Sequence, residues 1–143
     1  MEIQIATVGR RTSRKHAPAE ELFDAYCARI GHSCRCQTEN YPTEEKFFAA
    51  AGRGLGRGSS ASQNQKNPLL ILLDSRGRPL SSEQFADWLR RQRDHGIQRL
   101  VFAVGPANGW SQEARERAGL LLSLGPMTLP HELAAAVLAE QIY

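Results

Sequence analysis

The segment LLLSLGPMTLPHELAAAVLAEQIY, residues 120–143, decides how this chain is interpreted. It begins with a leucine run typical of a buried strand, bends at Gly125-Pro126, and continues after a Thr-Leu-Pro turn into a helix. Leucine, valine, isoleucine and alanine leave that helix apolar on most of its circumference, whereas an ordinary surface helix has a single apolar stripe. The helix must therefore be covered, either inside one subunit or by a second copy of the chain.

Strand and helix patterns alternate along the rest of the 143 residues. The runs PLLILLD and RLVFAVG are almost continuously apolar, as expected for strands of a parallel sheet that is covered on both faces. The alternation predicts an α/β fold with an open, mainly parallel sheet and helices on both faces. The predicted strands are residues 3–9, 32–40, 68–74 and 99–105, and the predicted helices are residues 18–31, 43–52, 81–96 and 111–119.

Length and composition predict one domain, because 143 residues with 41% hydrophobic content suit a single core. We expect a cytoplasmic protein, since the sequence has neither a leader peptide nor an apolar run near the ~18 residues of a membrane span. The net charge of +3 is small, but the cations cluster. Clustered arginine and lysine favour a polyanionic partner, and we expect RNA rather than DNA.

The stretch GRGLGRGSSASQNQKN, residues 52–67, is rich in glycine, serine and amides and has almost no apolar side chain to bury. It predicts a flexible loop. Its glycine spacing fits neither the dinucleotide-binding fingerprint nor the phosphate-binding P-loop. Loose RNA binding by the Gly-Arg tract remains an alternative to a purely solvated loop.

The three cysteines, Cys27, Cys34 and Cys36, are an odd number and are expected to be reduced. If His32 lies on a strand with Cys34 and Cys36, all three side chains point to one face. That arrangement would suit a metal ion, but a structural zinc needs four ligands and only Cys27 is near enough in sequence to complete the set. Small side chains on an inward strand face are the simpler interpretation, and we expect no metal.

Parallel sheets bind ligands beyond the carboxyl ends of their strands. In this chain those ends are Gly9, Asp74, Gly105 and the Leu124-Gly125 bend. Glycines at these ends would let the backbone approach a ligand closely, although each could equally serve only to end its strand. The sequence therefore predicts a ligand site at this edge of the sheet.

The loop RRTSRKH follows the first strand and brings a basic cluster to the same predicted edge. Such side chains supply salt-sensitive contacts to phosphates without reading sequence, while the target nucleotide is chosen by the pocket. The alternative is a loop that only solubilises the protein. The residues predicted to bind RNA are Arg10, Arg11, Arg14 and Lys15.

Four stretches together resemble the RlmH family of the SPOUT superfamily, whose members methylate N3 of a pseudouridine in large-subunit ribosomal RNA. They are IATVGR, LLDSRGRPLSSEQFA, VGPANG and LSLGPMTLPHELAAAVLAEQIY. The resemblance runs from residue 1 to residue 143 and is weakest through the Gly-Ser loop. Its most specific parts are the Thr-Leu-Pro-His turn with its helix and the G-x-x-x-G loop before them.

The resemblance implies a C-terminal trefoil knot, a homodimer, S-adenosylmethionine held in the knot, and ribosomal RNA or the assembled ribosome as partner. Rossmann-type methyltransferases are a poorer match, because IATVGRR lacks their glycine-rich acidic motif. By motif position, the cofactor contacts of the family fall on Leu73, Gly105, Leu124, Gly125, Pro126, Met127, Thr128 and Leu129.

Two further expectations concern catalysis. His131 is the only histidine beside the implied cofactor and is a candidate base, but it directly follows Pro130, and a role limited to starting the helix is the alternative, so the general base stays unassigned. Members of the family continue past the equivalent of Tyr143 with a tail that ends in a Tyr-His pair and a basic residue and borders the acceptor pocket. Without such a tail we expect donor binding with slow methylation. A knotted dimer that binds RNA or ribosomes without turnover is the alternative.

Overall fold

The computed structural model describes residues 1–9, 18–51, 68–106 and 108–143. Every predicted strand and helix in these ranges is present, with boundaries that differ by a few residues. The elements in chain order are β1 (Glu2–Val8), α1 (Pro18–Ile30), β2 (Arg35–Tyr41), α2 (Glu44–Ala51), β3 (Leu69–Pro79), α3 (Ser82–Asp94), β4 (Arg99–Val104), α4 (Gln112–Arg117), β5 (Leu120–Ser123) and α5 (His131–Ile142).

The strands form one five-stranded sheet in the order β2-β1-β4-β3-β5. All four neighbouring pairs run parallel. The two apolar runs of the sequence, β3 and β4, lie in the interior of this sheet, where they are covered on both faces. The prediction of an open parallel sheet is therefore confirmed.

Helices cover both faces of the sheet and create two cores. On one face α1, α3 and α5 pack over strand residues such as Ile5 and Phe102, which are fully buried. On the other face α2 and α4 pack over Leu72 and Ala103, and Phe47 of α2 is also fully buried. Each large side chain removed from water in this way contributes about 1.5–3 kcal/mol.

The start of α3 follows the sequence prediction closely. Ser81 Oγ accepts a hydrogen bond from the Gln84 amide at 3.1 Å, and Gln84 Oε1 accepts one from the Ser81 amide at 2.9 Å. This reciprocal pair is the predicted capping box, and such caps stabilise a helix by roughly 0.5–2 kcal/mol. The apolar face is also as predicted, since Phe85 and Trp88 are buried.

The prediction of a strand from His32 is wrong, because β2 begins at Arg35. The Ser33 and Cys34 amides both donate to the carbonyl of Ile30, at 2.9 and 3.1 Å, and this turn ends α1. His32 is exposed on that turn and does not share a strand face with Cys36. Among the described residues, no three His, Cys, Asp or Glu side chains are grouped to hold a metal ion.

The strand predicted at residues 68–74 continues to Pro79 through an irregularity. Leu73 and Arg78 both pair with Leu122 of β5, so the residues between them bulge out of the register. Gly77 makes this possible, since a Cβ there would lie 2.7 Å from the Leu121 carbonyl carbon. The turn-forming sequence DSRG predicts the end of the strand but not its return to the same partner.

The last helix, α5, is covered mostly by its own chain. Ala135, Leu138 and Ala139 are almost completely buried in the core that α5 shares with α1 and α3. Leu133 and Tyr143 remain 40% and 64% exposed. The interpretation that the helix is buried within one subunit thus accounts for most of its apolar surface. No helix of the described ranges is long and apolar enough to cross a bilayer.

Candidate functional site

One open cavity of about 860 Å³ lies beyond the carboxyl ends of β4 and β5 and beside the bulge of β3. Its walls come from that bulge, from the last residues of β4 and β5 and the loops that follow them, and from the first turn of α5. This is the edge at which parallel sheets bind ligands, and the volume suits a small molecule. A cavity therefore lies at the edge of the sheet where the sequence predicts a ligand site.

The cavity brings together most of the residues selected from the sequence. Pro126 does not line it and is exposed on the bend. Gly9, the end of β1, also lies outside the lining, but a Cβ built on it would be 3.7 Å from Cα of Pro106, which does line the cavity. The selected residues that line the cavity are Leu73, Gly105, Leu124, Gly125, Met127, Thr128 and Leu129.

Gly125 forms the floor of the bend after β5. Its φ of +131° is a conformation that side-chain-bearing residues rarely adopt, and a Cβ there would meet no atom within 4 Å. Ser123 is buried beside it. The Ser123 hydroxyl accepts a hydrogen bond from the Gly125 amide at 3.1 Å and is placed to donate to the Gly125 carbonyl oxygen, also at 3.1 Å. Sequence reasoning missed Ser123, although a serine two residues before a glycine at a strand end is a recognisable turn signal.

Gly105 lacks a side chain for a different reason. A Cβ on it would lie 2.7 Å from Nε1 of Trp110, so the indole fills the space that a side chain would need. The same Nε1 donates a buried hydrogen bond of 2.9 Å to the carbonyl oxygen of Leu73. Trp110 thus links the end of β4 to the start of the β3 bulge, and the sequence did not single this residue out.

Asp74 places a carboxylate in the cavity wall. Its side chain is only 4% exposed, and it accepts hydrogen bonds from Arg76 N, Nε and Nη2 at 2.9, 3.1 and 3.1 Å. Burial acts to raise the pKa of Asp74, but the hydrogen bonds from Arg76 outweigh it and hold the pKa below the ordinary value. The cavity therefore contains an ionised carboxylate with a partly exposed guanidinium at its rim.

His131 begins α5 and lines the same cavity. Its side chain is 16% exposed, and Nε2 lies 3.6 Å from Oε1 of Glu132. Nε2 is buried without a hydrogen-bond partner among the described residues. A buried ring nitrogen in this state has an unused capacity for one hydrogen bond at the wall of the cavity.

The predicted RNA-binding residues Arg10, Arg11, Arg14 and Lys15 lie outside the described residues, as does the predicted loop at residues 52–67. The cysteines lie away from the cavity. The hydrogen bond between Cys27 and Cys36 raises the pKa of Cys27 and lowers the pKa of Cys36. Burial raises the pKa of Cys34. All three are free thiols.

The model of the family described as "Predicted SPOUT methyltransferase" matches residues 1–143. The chain belongs to this SPOUT methyltransferase family. Membership implies that the parallel sheet carries the knotted C-terminal arrangement of SPOUT proteins and that the enzyme uses a methyl donor.

Several curated relatives of this SPOUT chain are named ribosomal RNA large subunit methyltransferase H. The protein from Koribacter versatilis is 51% identical over 143 residues, which are 100% of this chain and 90% of the relative. Those from Rhodospirillum centenum and Paramagnetospirillum magneticum are 36% and 37% identical, again over 100% of this chain and 91% of each relative. The cavity residues therefore belong to a SPOUT enzyme whose relatives are named for ribosomal RNA.

Proposed function

We propose that the protein transfers a methyl group from S-adenosylmethionine to large-subunit ribosomal RNA, with N3 of a pseudouridine as the acceptor. Membership of the SPOUT family and the names of the relatives support methylation of ribosomal RNA over simple RNA binding. The observation that carries the proposal is the cavity of about 860 Å³ at the ends of β4 and β5 and the bulge of β3, which gathers seven of the eight residues that match the family's cofactor contacts.

The composition of the cavity fits the donor. Leu73, Leu124 and Leu129 offer apolar wall to an adenosine group, and backbone groups beside Gly125 are open to it because no side chain stands in front of them. The amino-acid end of the donor carries one positive and one negative charge, and Asp74 and Arg76 offer both opposite charges in the same wall. These residues would hold the donor.

S-adenosylmethionine supplies an electrophilic methyl group when it is bound. The contribution of the protein is then to hold the acceptor in line with that group and to exclude water, and positioning of this kind can account for ~7–11 kcal/mol of a barrier. The acceptor nitrogen must also lose a proton. His131 offers a buried ring nitrogen, with no partner among the described residues, on which a proton can be held.

The position of Gly9 supports RNA as the substrate. Gly9 lies against Pro106 at the rim of the cavity, and the basic stretch, residues 10–16, comes next in the sequence. We propose that it contacts the phosphates of the bound RNA through Arg10, Arg11, Arg14 and Lys15.

The exposed apolar residues of α1 and α5 support a homodimer. Leu22 and Leu133 are 48% and 40% exposed. At the end of α5 the ring of Tyr143 lies 6.0 Å from that of Tyr26, and the Arg29 guanidinium lies within 5.7 Å of both rings. A second copy of the chain would cover this surface and complete the burial of α5.

The proposal is tested by a methyl-transfer assay with labelled S-adenosylmethionine on deproteinised ribosomal RNA, isolated large subunits and assembled ribosomes. We expect label to appear in large-subunit RNA and to map to N3 of a pseudouridine. Label at another base would change the acceptor. Tight binding of ribosomes without label in any substrate would instead indicate a binding protein.

A further inference from the structure

We infer that Trp110 is a positioning residue for the methyl donor and forms part of the wall against which the donor lies. This inference rests on the proposed function, because it concerns the same cavity. It goes beyond that function in assigning to one side chain the task of fixing the relative position of two strand ends. It also makes that side chain an internal reporter of donor binding.

Three features place Trp110 in the cavity wall. The residue lines the cavity, although it is only 4% exposed. Its Nε1 donates to the Leu73 carbonyl at 2.9 Å, which ties the loop after β4 to the start of the β3 bulge. Nε1, Cε2 and Cδ1 also occupy the space beside Gly105, at 2.7, 2.8 and 3.1 Å from where a Cβ would stand.

The opposite side of the indole is fixed by α2. The rings of Phe47 and Phe48 lie 6.0 and 6.4 Å from the indole. The next residue, Ser111, donates to Glu44 from its amide at 2.9 Å and from its hydroxyl at 2.7 Å. The indole therefore sits between α2 and the strand ends and has little freedom to move.

This arrangement gives Trp110 a role that a cavity-lining residue alone would lack. Leu73 and Gly105 both match donor contacts of the family, and Trp110 contacts both through the bond and the packing described above. If the indole N–H is removed, the Leu73 carbonyl loses its buried partner and the two strand ends can shift. Loss of a buried hydrogen-bond partner corresponds to about tenfold weaker binding where the site depends on that geometry.

The two tryptophans of the chain allow a matched test. Trp88 is also buried, at 9% exposure, but it lies on α3 and does not line the cavity. In Trp88→Phe, all tryptophan emission comes from Trp110. We expect this emission to change with saturation on titration with S-adenosylhomocysteine, which has the adenosine of the donor but no transferable methyl group. The affinity measured by calorimetry should match that of the unaltered protein.

Trp110→Phe should weaken binding of the same ligand by about tenfold, whereas Trp88→Phe should leave it unchanged. If calorimetry detects binding but Trp110 emission stays constant and Trp110→Phe binds as tightly as the unaltered protein, the inference is wrong and the proposed function stands. If the unaltered protein binds neither S-adenosylmethionine nor S-adenosylhomocysteine, the proposed function itself fails. Should Trp110→Phe not fold, the emission titration of Trp88→Phe decides alone.

Discussion

Gly105 and Gly125 lack a side chain for opposite reasons, although both lie at strand ends in the same cavity. Gly125 adopts a left-handed φ and faces open space, so its backbone is accessible to a ligand. Gly105 faces the Trp110 indole, which fills the missing volume. The residue type alone cannot separate these cases, because one is set by local φ and the other by the packing of a residue five positions later. The same holds for Asp74, whose importance depends on the contact with Arg76.

Asp74 leads to a prediction at this scale. Its folded pKa lies below the ordinary 3.8, so its interactions stabilise the fold above that pH and are lost as pH falls through the folded value. Asp74→Asn should therefore be less stable than the unaltered protein at pH 7, and the difference should shrink as the pH falls below 3.8. Urea unfolding of both proteins from pH 7 to below pH 3.8 measures the difference in stability and its dependence on pH.

Asp87→Asn provides the matched control for Asp74. Asp87 pairs with Arg90 at 2.9 Å, but the Asp87 side chain is 62% exposed and that of Arg90 is 60% exposed. An exposed pair of this kind contributes about 0–1 kcal/mol, so the control should be nearly neutral at every pH. A constant difference between Asp74→Asn and the unaltered protein from pH 7 to acid would show that the charge of Asp74 is not what stabilises the fold.

The cysteines give a second prediction at the residue scale. The hydrogen bond from Cys27 lowers the pKa of Cys36, and the pKa values of Cys27 and Cys34 are both raised. Because the thiolate is the nucleophile, iodoacetamide near neutral pH should modify Cys36 first, as followed by peptide mass spectrometry. Cys27→Ala should slow the modification of Cys36, whereas Cys34→Ala should not. Earlier modification of Cys34 would contradict this order.

Elements formed by local signals could be predicted from the sequence, and elements fixed by distant contacts could not. The capping box of α3 and the apolar runs of β3 and β4 depend on residues a few positions apart, and the structure contains them as predicted. The bulge of β3 depends on a pairing with β5 about 45 residues later, a separation at which propensity carries no information. The cavity could be placed from topology, whereas the contact of Trp110 with Leu73, 37 residues apart, could not.

Gly77 tests the importance of the bulge. A Cβ at this position would lie 2.7 Å from both the carbon and the oxygen of the Leu121 carbonyl, and backbone atoms cannot move aside as a flexible side chain can. Gly77→Ala should therefore separate β3 from β5 locally and cost about 1–3 kcal/mol. Urea unfolding measures the loss of stability, and faster amide hydrogen exchange in β5 should reveal the local separation of the strands. Ser75→Ala, an exposed change in the same bulge, should be neutral. Equal stability of Gly77→Ala would mean that the strands can separate without loss.

At the scale of the whole molecule, the parallel sheet brings the cavity and the end of β1 to the same edge. The cavity lies beyond the carboxyl ends of β4 and β5 and beside the bulge of β3, and Gly9, which follows β1, lies against Pro106 at its rim. Helix α5 begins at the cavity and ends at Tyr143, beside the apolar surface of α1 that we propose a second copy covers. In the proposed function, donor and RNA therefore meet at this edge of the sheet, and α5 runs from there towards the proposed subunit contact. This convergence follows from the parallel order of the strands, which places their carboxyl ends together.

The basic segment supplies the prediction for the whole molecule. If Arg10, Arg11 and Lys15 contact phosphates, replacing all of them with glutamine should weaken binding of ribosomal RNA and reduce the slope of log affinity against log salt. Each lost phosphate contact lowers that slope by about 0.7–0.9. Donor affinity should not change, because the proposed donor contacts are the described residues of the cavity rather than the basic segment. A control replaces Arg90, Arg91 and Arg93 of α3, which removes the same charge from exposed positions outside the cavity. If both triple variants lose the same affinity and slope, RNA responds to net charge rather than to a surface beside the cavity, and the proposed RNA contact is wrong.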